Sequence, residues 1–122
     1  MTTYRRQEGA GLFIVSPTLD KVLVFEDGDY LNIPRGSREH NEPLMRTALR
    51  EAWRDCGIRV SESDFLTEDS YKVGDLVTFV VMSGKKPNSR KGMMYVPWRT
   101  LEENCPDFLY PAVQWAKEKS YG

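Results

Sequence analysis

Several protein classes are excluded by what the sequence has little of. Its 122 residues include two cysteines and one histidine, and no apolar run long enough to cross a bilayer. Cys56 and Cys105 are too sparse for a disulfide scaffold and lack metal-ligand spacing, so both are expected as reduced thiols in an intracellular, cytoplasmic protein. The opening "MTTYRRQEGAG" holds no signal-peptide core, and no membrane role is expected. A formal net charge of −1 gives no global basic field of the kind that holds nucleic acid non-specifically. Repeats, low-complexity tracts and linkers are also missing, so residues 1–122 are expected to form one domain. Apolar residues at 40% and charged residues at 29% suit a soluble globule.

What is present is a succession of short strands around one strong helix. "GAGLFIVSP" (9–17) and "KVLVFED" (21–27) are β-branched and aromatic runs bounded by turn residues. "YLNIPRG" (30–36) alternates until Pro34 stops it, and "DLVTFVVMSG" (75–84) is another strong strand. "IRVSES" and "FLTEDSYKV", between 58 and 73, are weaker strand patterns, and "MMYVPW" (93–98) reads as extended. Residues 43–56 carry the clearest helical period. Met45, Leu49, Ala52 and Cys56 make one apolar stripe, with Asn41 as cap, Pro43 in the first turn and Gly57 at the stop. A closing helix is expected from Pro111, with Ala112, Trp115 and Ala116 on its apolar side. The predicted fold class is α+β: a mixed sheet with a helix on each face.

The central helix also carries acids. Glu51 and Asp55 are four residues apart, about 40° from each other on a helical wheel and to one side of the apolar stripe. Two carboxylates on one turn repel unless a cation lies between them, and hard divalent ions prefer oxygen ligands. Glu42, ahead of the helix, is placed to reach the same side or to pair with Arg50. In "IPRGSRE", Gly36 permits close backbone approach, while Arg35 and Arg38 suit phosphate oxygens. Together these features fit a metal-bridged polyphosphate. The same acids four apart also fit an ordinary solvated helix face neutralised by arginine.

Residues 36–58, "GSREHNEPLMRTALREAWRDCGI", resemble the Nudix box: glycine, five residues, glutamate, seven residues, Arg-Glu, an aliphatic residue, any residue, Glu-Glu, any residue, glycine, aliphatic. The matching positions are Gly36, Glu42, Arg50, Glu51, Ala52, Gly57 and Ile58, with the spacing intact. The flanking "GAGLFIVSPTLDKVLVFEDGDYLNIPRG" and "YVPWRTLEE" resemble the family's strand–turn–strand lead-in and the segment before its last helix. The resemblance implies an α/β/α sandwich that hydrolyses a pyrophosphate bond in a nucleoside diphosphate-linked or other polyphosphate substrate with Mg2+ or Mn2+. It implies Glu51 as metal ligand or activator of water, Arg50 as the group that orients the acids, Asp55 as a second ligand, and Glu42 as a further metal-site or outer-sphere acid. A homodimer is compatible with the family, and an RNA end is one of its substrate classes.

Two departures qualify that reading. The Glu-Glu pair of the pattern is Arg54-Asp55 here. Arg54 stays cationic and cannot ligate a metal. At ~4 Å and an effective dielectric of ~20, each unit of charge is worth on the order of 4 kcal/mol before screening, so metal binding is expected to weaken unless Arg54 turns away or grips a substrate phosphate. The second departure is in "KKPNSRKGMM", which holds no acid where many members of the family supply one. Glu39, Glu68 and Asp69 are the candidate replacements. Lys85, Lys86, Arg90 and Lys91 there form a solvated loop or a basic rim for a polyphosphate or RNA end. Three functions stay open: the hydrolase, a catalytically reduced module that binds a nucleotide, phosphorylated ligand or protein, and a fold-only domain in an assembly. Of the remaining residues, His40 is expected in an exposed loop and Trp53 at the edge of the core. Trp98 and Trp115 are expected to pack the sheet against the last helix. Tyr4, Phe25 and Tyr30 are expected mainly in packing, with base stacking as the alternative, and Arg5 and Arg6 in a mobile terminus.

Overall fold

The computed structural model describes residues 8–88 and 92–121. Strand β1 (Gly9–Val15) is the centre of the sheet, and its continuous apolar run has a simple cause. Phe13 and Val15 project to one face and Ala10, Leu12 and Ile14 to the other, and all are fully buried. β1 runs parallel to β6 (Leu76–Met82), in register from Gly9↔Leu76 to Val15↔Met82. On its other side it meets β2 (Lys21–Asp27) at Val15↔Val22 and β4 (Arg35–Ser37) at Gly9↔Ser37, Ala10↔Gly36 and Gly11↔Arg35, both antiparallel. β2 continues to β3 (Tyr30–Asn32) and β7 (Met94–Pro97), and β5 (Tyr71–Val73) lies outside β6.

Each face of this mixed sheet carries its own core. α1 (Leu44–Cys56) covers one face with Ala48, Ala52 and Cys56 against Leu12, Ile14, Leu23 and Phe79. α2 (Trp98–Asn104) and α3 (Tyr110–Tyr121) cover the other with Leu101, Ala112, Val113 and Ala116 against Phe13, Val22 and Val80. The result is the α/β/α arrangement expected from the sequence. Trp98 is buried as anticipated: its indole N–H donates to the Leu19 carbonyl at 2.9 Å, and its ring lies 6.3 Å from that of Phe13. Trp115 is half-buried and stacks on Tyr71 at 5.7 Å.

β3 does stop ahead of Pro34, as expected; the Pro34 carbonyl accepts from the Leu12 amide at 3.0 Å, and the chain resumes as β4. Four expectations need correction. Asn41 is not the helix cap. It turns the chain with φ 57°, a conformation asparagine tolerates, and Pro43 takes the cap position without a side-chain hydrogen bond. Residues 58–61 are not a strand. A single 3-10 turn at Glu62–Asp64 follows them, and Phe65 makes one bridge to Val81. α2 was not expected, because the extended reading ended at Trp98 and no helix was placed before the last one; Trp98 and Leu101, three apart, bury one side of a helix that Arg99 and Glu103 clip on the outside at 2.8 Å. Trp53, expected at the edge of the core, is 49% exposed.

Tyr4, Arg5, Arg6, Arg90 and Lys91 lie outside the described residues. No helix among the described residues is long and apolar enough to cross a membrane.

Leu101 is fully buried between α2 and the sheet. Leu101→Ala is expected to cost about 2–5 kcal/mol, read as a lower midpoint in urea unfolding with an unchanged slope.

Candidate active site

The site is assembled where β4, the turn after it and α1 meet. Because β4 is hydrogen-bonded to β1, Gly36 is held against the α1 surface, where Glu51 is 5% exposed. A Cβ on Gly36 would overlap the Glu51 carboxylate carbon and Oε1, so this glycine is required by space rather than by backbone conformation. At the other end of α1, Gly57 has φ 68° and donates its amide to the Trp53 carbonyl at 2.9 Å, a left-handed helix stop suited to glycine.

Arg50 ties these parts together. Its Nε donates to Glu42 Oε2 and its Nη2 to Glu42 Oε1, both at 2.9 Å. Nη2 also donates to the Ser37 carbonyl at 2.9 Å, and Nη1 to Glu51 Oε1 at 2.8 Å. Glu39 adds a longer ion pair to Nη1 at 3.7 Å. Glu42 further accepts the Thr47 hydroxyl at 2.7 Å and the Glu39 amide at 3.2 Å. The hydrogen bonds from Arg50 hold its carboxyl down to about 2, against an opposing burial penalty and with help from Thr47 and the Glu39 amide. The same bonds raise the pKa of Arg50.

The three acids expected at a metal therefore do not converge. Both Glu42 oxygens are spent on Arg50, and among the described residues no group of three His, Cys, Asp or Glu side chains is placed to hold a metal ion. Glu51 and Asp55 do stand together on the wall of one cleft of about 620 Å³. Among the described residues no hydrogen bond is donated to Glu51 Oε2 or to either Asp55 oxygen, as the bonds to Glu51 go to Oε1. Two carboxylates with open oxygens suit one magnesium or manganese ion, which ordinarily takes one or two protein carboxylates and fills its shell with water and substrate phosphate.

Arg35, Arg38, Arg50 and Arg54 line the same cleft, against Glu39, Glu51 and Asp55, so its wall is net positive. Arg35 extends over the Phe108 ring at 5.2 Å, and the Arg38 Nε is committed to the Glu42 carbonyl at 2.7 Å. Arg54 is 72% exposed, with its Nη1 3.7 Å from Glu51 Oε1. Its head group is thus beside the acid it was expected to disturb, yet largely in solvent. Of the replacement acids, Glu39 is in the cleft. Glu68 and Asp69 are not, and Asp69 pairs with Lys119 at 3.3 Å. Exposed His40 and half-buried Phe25 line the cleft, whereas Tyr30 is exposed and does not. Sequence reasoning missed the Ser37 carbonyl and Thr47 hydroxyl as parts of the brace. Neither follows from motif spacing, although Thr47 sits on the buried side of α1.

A strand–turn–helix unit of this kind, set in a mixed sheet between helices, defines the Nudix fold. Solved structures share it across nearly the whole chain. A Nudix hydrolase from M. smegmatis, RenU, matches at 13% identity over 98% of this chain and 89% of its own, with a TM-score of 0.71. The E. coli dihydroneopterin triphosphate pyrophosphohydrolase matches at 14% identity over 96% and 99%, TM-score 0.73. A C. elegans Ap4A hydrolase, in a binary complex, matches at 11% over 88% and 94%, TM-score 0.69. No protein-family model matches the chain, and no curated protein sequence does.

The brace has a pH signature. Its contribution is complete above the ordinary glutamate value of 4.5 and is lost as pH falls toward about 2, because the folded carboxyl is the one held down. Glu42→Gln is expected to lose about 1–2 kcal/mol at neutral pH, with wild-type and variant urea-unfolding curves converging across that acid window.

Proposed function

We propose that the chain is a pyrophosphate-bond hydrolase acting on a nucleotide or other polyphosphate held in the Arg35–Asp55 cleft. The observation that carries this reading is the pairing, on one cleft wall, of two carboxylates with open oxygens and four arginines. Glu51 and Asp55 would hold the magnesium or manganese ion. Bound there, the ion would neutralise phosphate charge and increase the acidity of water. The protein's own groups do the rest. Arg35, Arg38 and Arg54 offer guanidinium donors to phosphate oxygens. Arg50, fixed by Glu42 and Ser37, holds Glu51 at the wall through its bond to Oε1. Hydrolysis adds water across the bridging P–O bond, so that one phosphorus gains the water oxygen and the other retains the bridge. A buried carboxylate beside the reacting phosphate is suited to orient that water.

A second reading is favoured by one specific feature. Arg54 occupies a ligand position of the box, and no third carboxylate joins Glu51 and Asp55 in a metal group among the described residues. A module that binds polyphosphate through its arginines and does not turn it over would have this arrangement.

Two measurements separate the readings. A panel of nucleoside triphosphates, nucleotide sugars, dinucleoside polyphosphates and capped RNA, with magnesium or manganese, is expected to show metal-dependent product release that Glu51→Gln lowers by about 100-fold or more. Absent turnover, with tripolyphosphate binding indifferent to metal, identifies the binding module instead. Arg54→Glu is expected to raise KM about tenfold and lower the rate if the guanidinium grips phosphate. A faster variant with tighter manganese binding shows that Arg54 only impairs a ligand position.

A further inference from the structure

We propose that the outer side of α1 is a binding surface for single-stranded nucleic acid, adjoining the phosphate cleft. Arg46, Leu49, Arg50 and Trp53 follow one another at helical steps and form one stripe. With Glu42, Arg59 and Val60 they line a shallow cleft of 350 Å³. Trp53 is 49% exposed and presents a large aromatic surface on the helix. It is also held in position, because the Arg59 guanidinium lies 4.2 Å from the ring centroid. The pair presents two adjacent planar groups, indole and guanidinium, both of which stack on bases.

The charge of the surface selects the occupant. Arg46 and Arg59 supply its positive charge, since Arg50, which also lines it, is committed to Glu42, Glu51 and the Ser37 carbonyl. Lys85 extends the positive strip, since its ammonium donates to the Arg59 carbonyl at 3.1 Å. This local basic strip sits on a chain whose net charge is −1. Cations beside stackable planes match the alternation of phosphate and base in a single strand, where stacking tolerates any sequence. An amphipathic protein helix needs a broader aliphatic groove, and Leu49 and Val60, both half-buried, are the aliphatic lining. Arg50 lines this cleft and the phosphate cleft alike, so the two surfaces are contiguous. The inference does not depend on turnover in the neighbouring cleft.

The test is fluorescence anisotropy with a single-stranded RNA of about ten nucleotides bearing a 5′-hydroxyl. Binding is expected at low salt and is expected to weaken steeply as salt rises. Trp53→Ala and Arg59→Gln are each expected to weaken it at least about fivefold, while tripolyphosphate binding by Trp53→Ala stays at the wild-type level. Trp53 is on the surface, so an unchanged thermal midpoint verifies the fold, and Arg59→Gln tests the same platform from its other half. No RNA binding by the wild type, or equal binding by wild type and both variants, overturns the proposal. So does a poly-glutamate peptide that binds as tightly as RNA, since the surface would then read charge alone. Loss of tripolyphosphate binding in the wild type would instead count against the proposed function and leave this result standing.

Discussion

The guanidinium of Arg50 is the joint on which the candidate site depends. It bonds at once to an acid ahead of α1, an acid within α1 and a backbone carbonyl of β4. A strand, a turn and a helix are thereby fixed relative to one another by one planar group whose donors point in set directions. Lysine could carry the charge but not that fork. The arrangement also resolves an electrostatic problem. Glu51 is buried and Glu42 half-buried, and either would be costly there without a charge partner. Arg50 satisfies both, and Gly36 leaves the space in which the Glu51 carboxylate packs.

Much of this was legible in the sequence because the strongest signals are local. A continuous apolar run bounded by Ser-Pro reads as a strand, which β1 is, and the structure buries it on both faces. Ala52 and Cys56 at helical spacing face the sheet, and Gly57 stops the helix with a positive φ. The failures have a common physical origin in tertiary context. β4 is three residues long and exists only because β1 offers it partners. α2 is short and has little pattern of its own, but the sheet face it covers rewards the burial of Trp98 and Leu101. Trp53 was placed at the edge of the core by its position beside the apolar stripe, yet at that boundary it turns toward Arg59 and solvent.

The site was legible to a different depth. Spacing placed Glu51 and Asp55 on one side of α1 and beside Gly36, and the cleft contains all three. Spacing was silent about which oxygens are already used. Glu42 was expected near the metal from its place in the pattern, but reach and geometry assign its two oxygens to Arg50 and Thr47. Hydrogen-bond occupancy depends on side-chain directions that no residue count records.

The box divides accordingly into two sets of positions, and the division matters for function. Gly36, Glu42, Arg50, Glu51 and Gly57 match the Nudix pattern, and each has a structural task independent of any reaction: leaving space, bracing the turn, or stopping the helix. Arg54 and Asp55 depart from it, and both lie on the open wall of the cleft, Arg54 with 72% of its side chain exposed. Substitution there leaves the brace untouched, whereas substitution in the first set disturbs a buried ion pair. Folding therefore accounts for why most of the motif is intact even if the chemistry has changed. The intact part supports the architecture. Arg54 Nη1 stands 3.7 Å from Glu51 Oε1, the oxygen Arg50 already holds, so the substituted position adds a second positive charge beside that acid while leaving its other oxygen open.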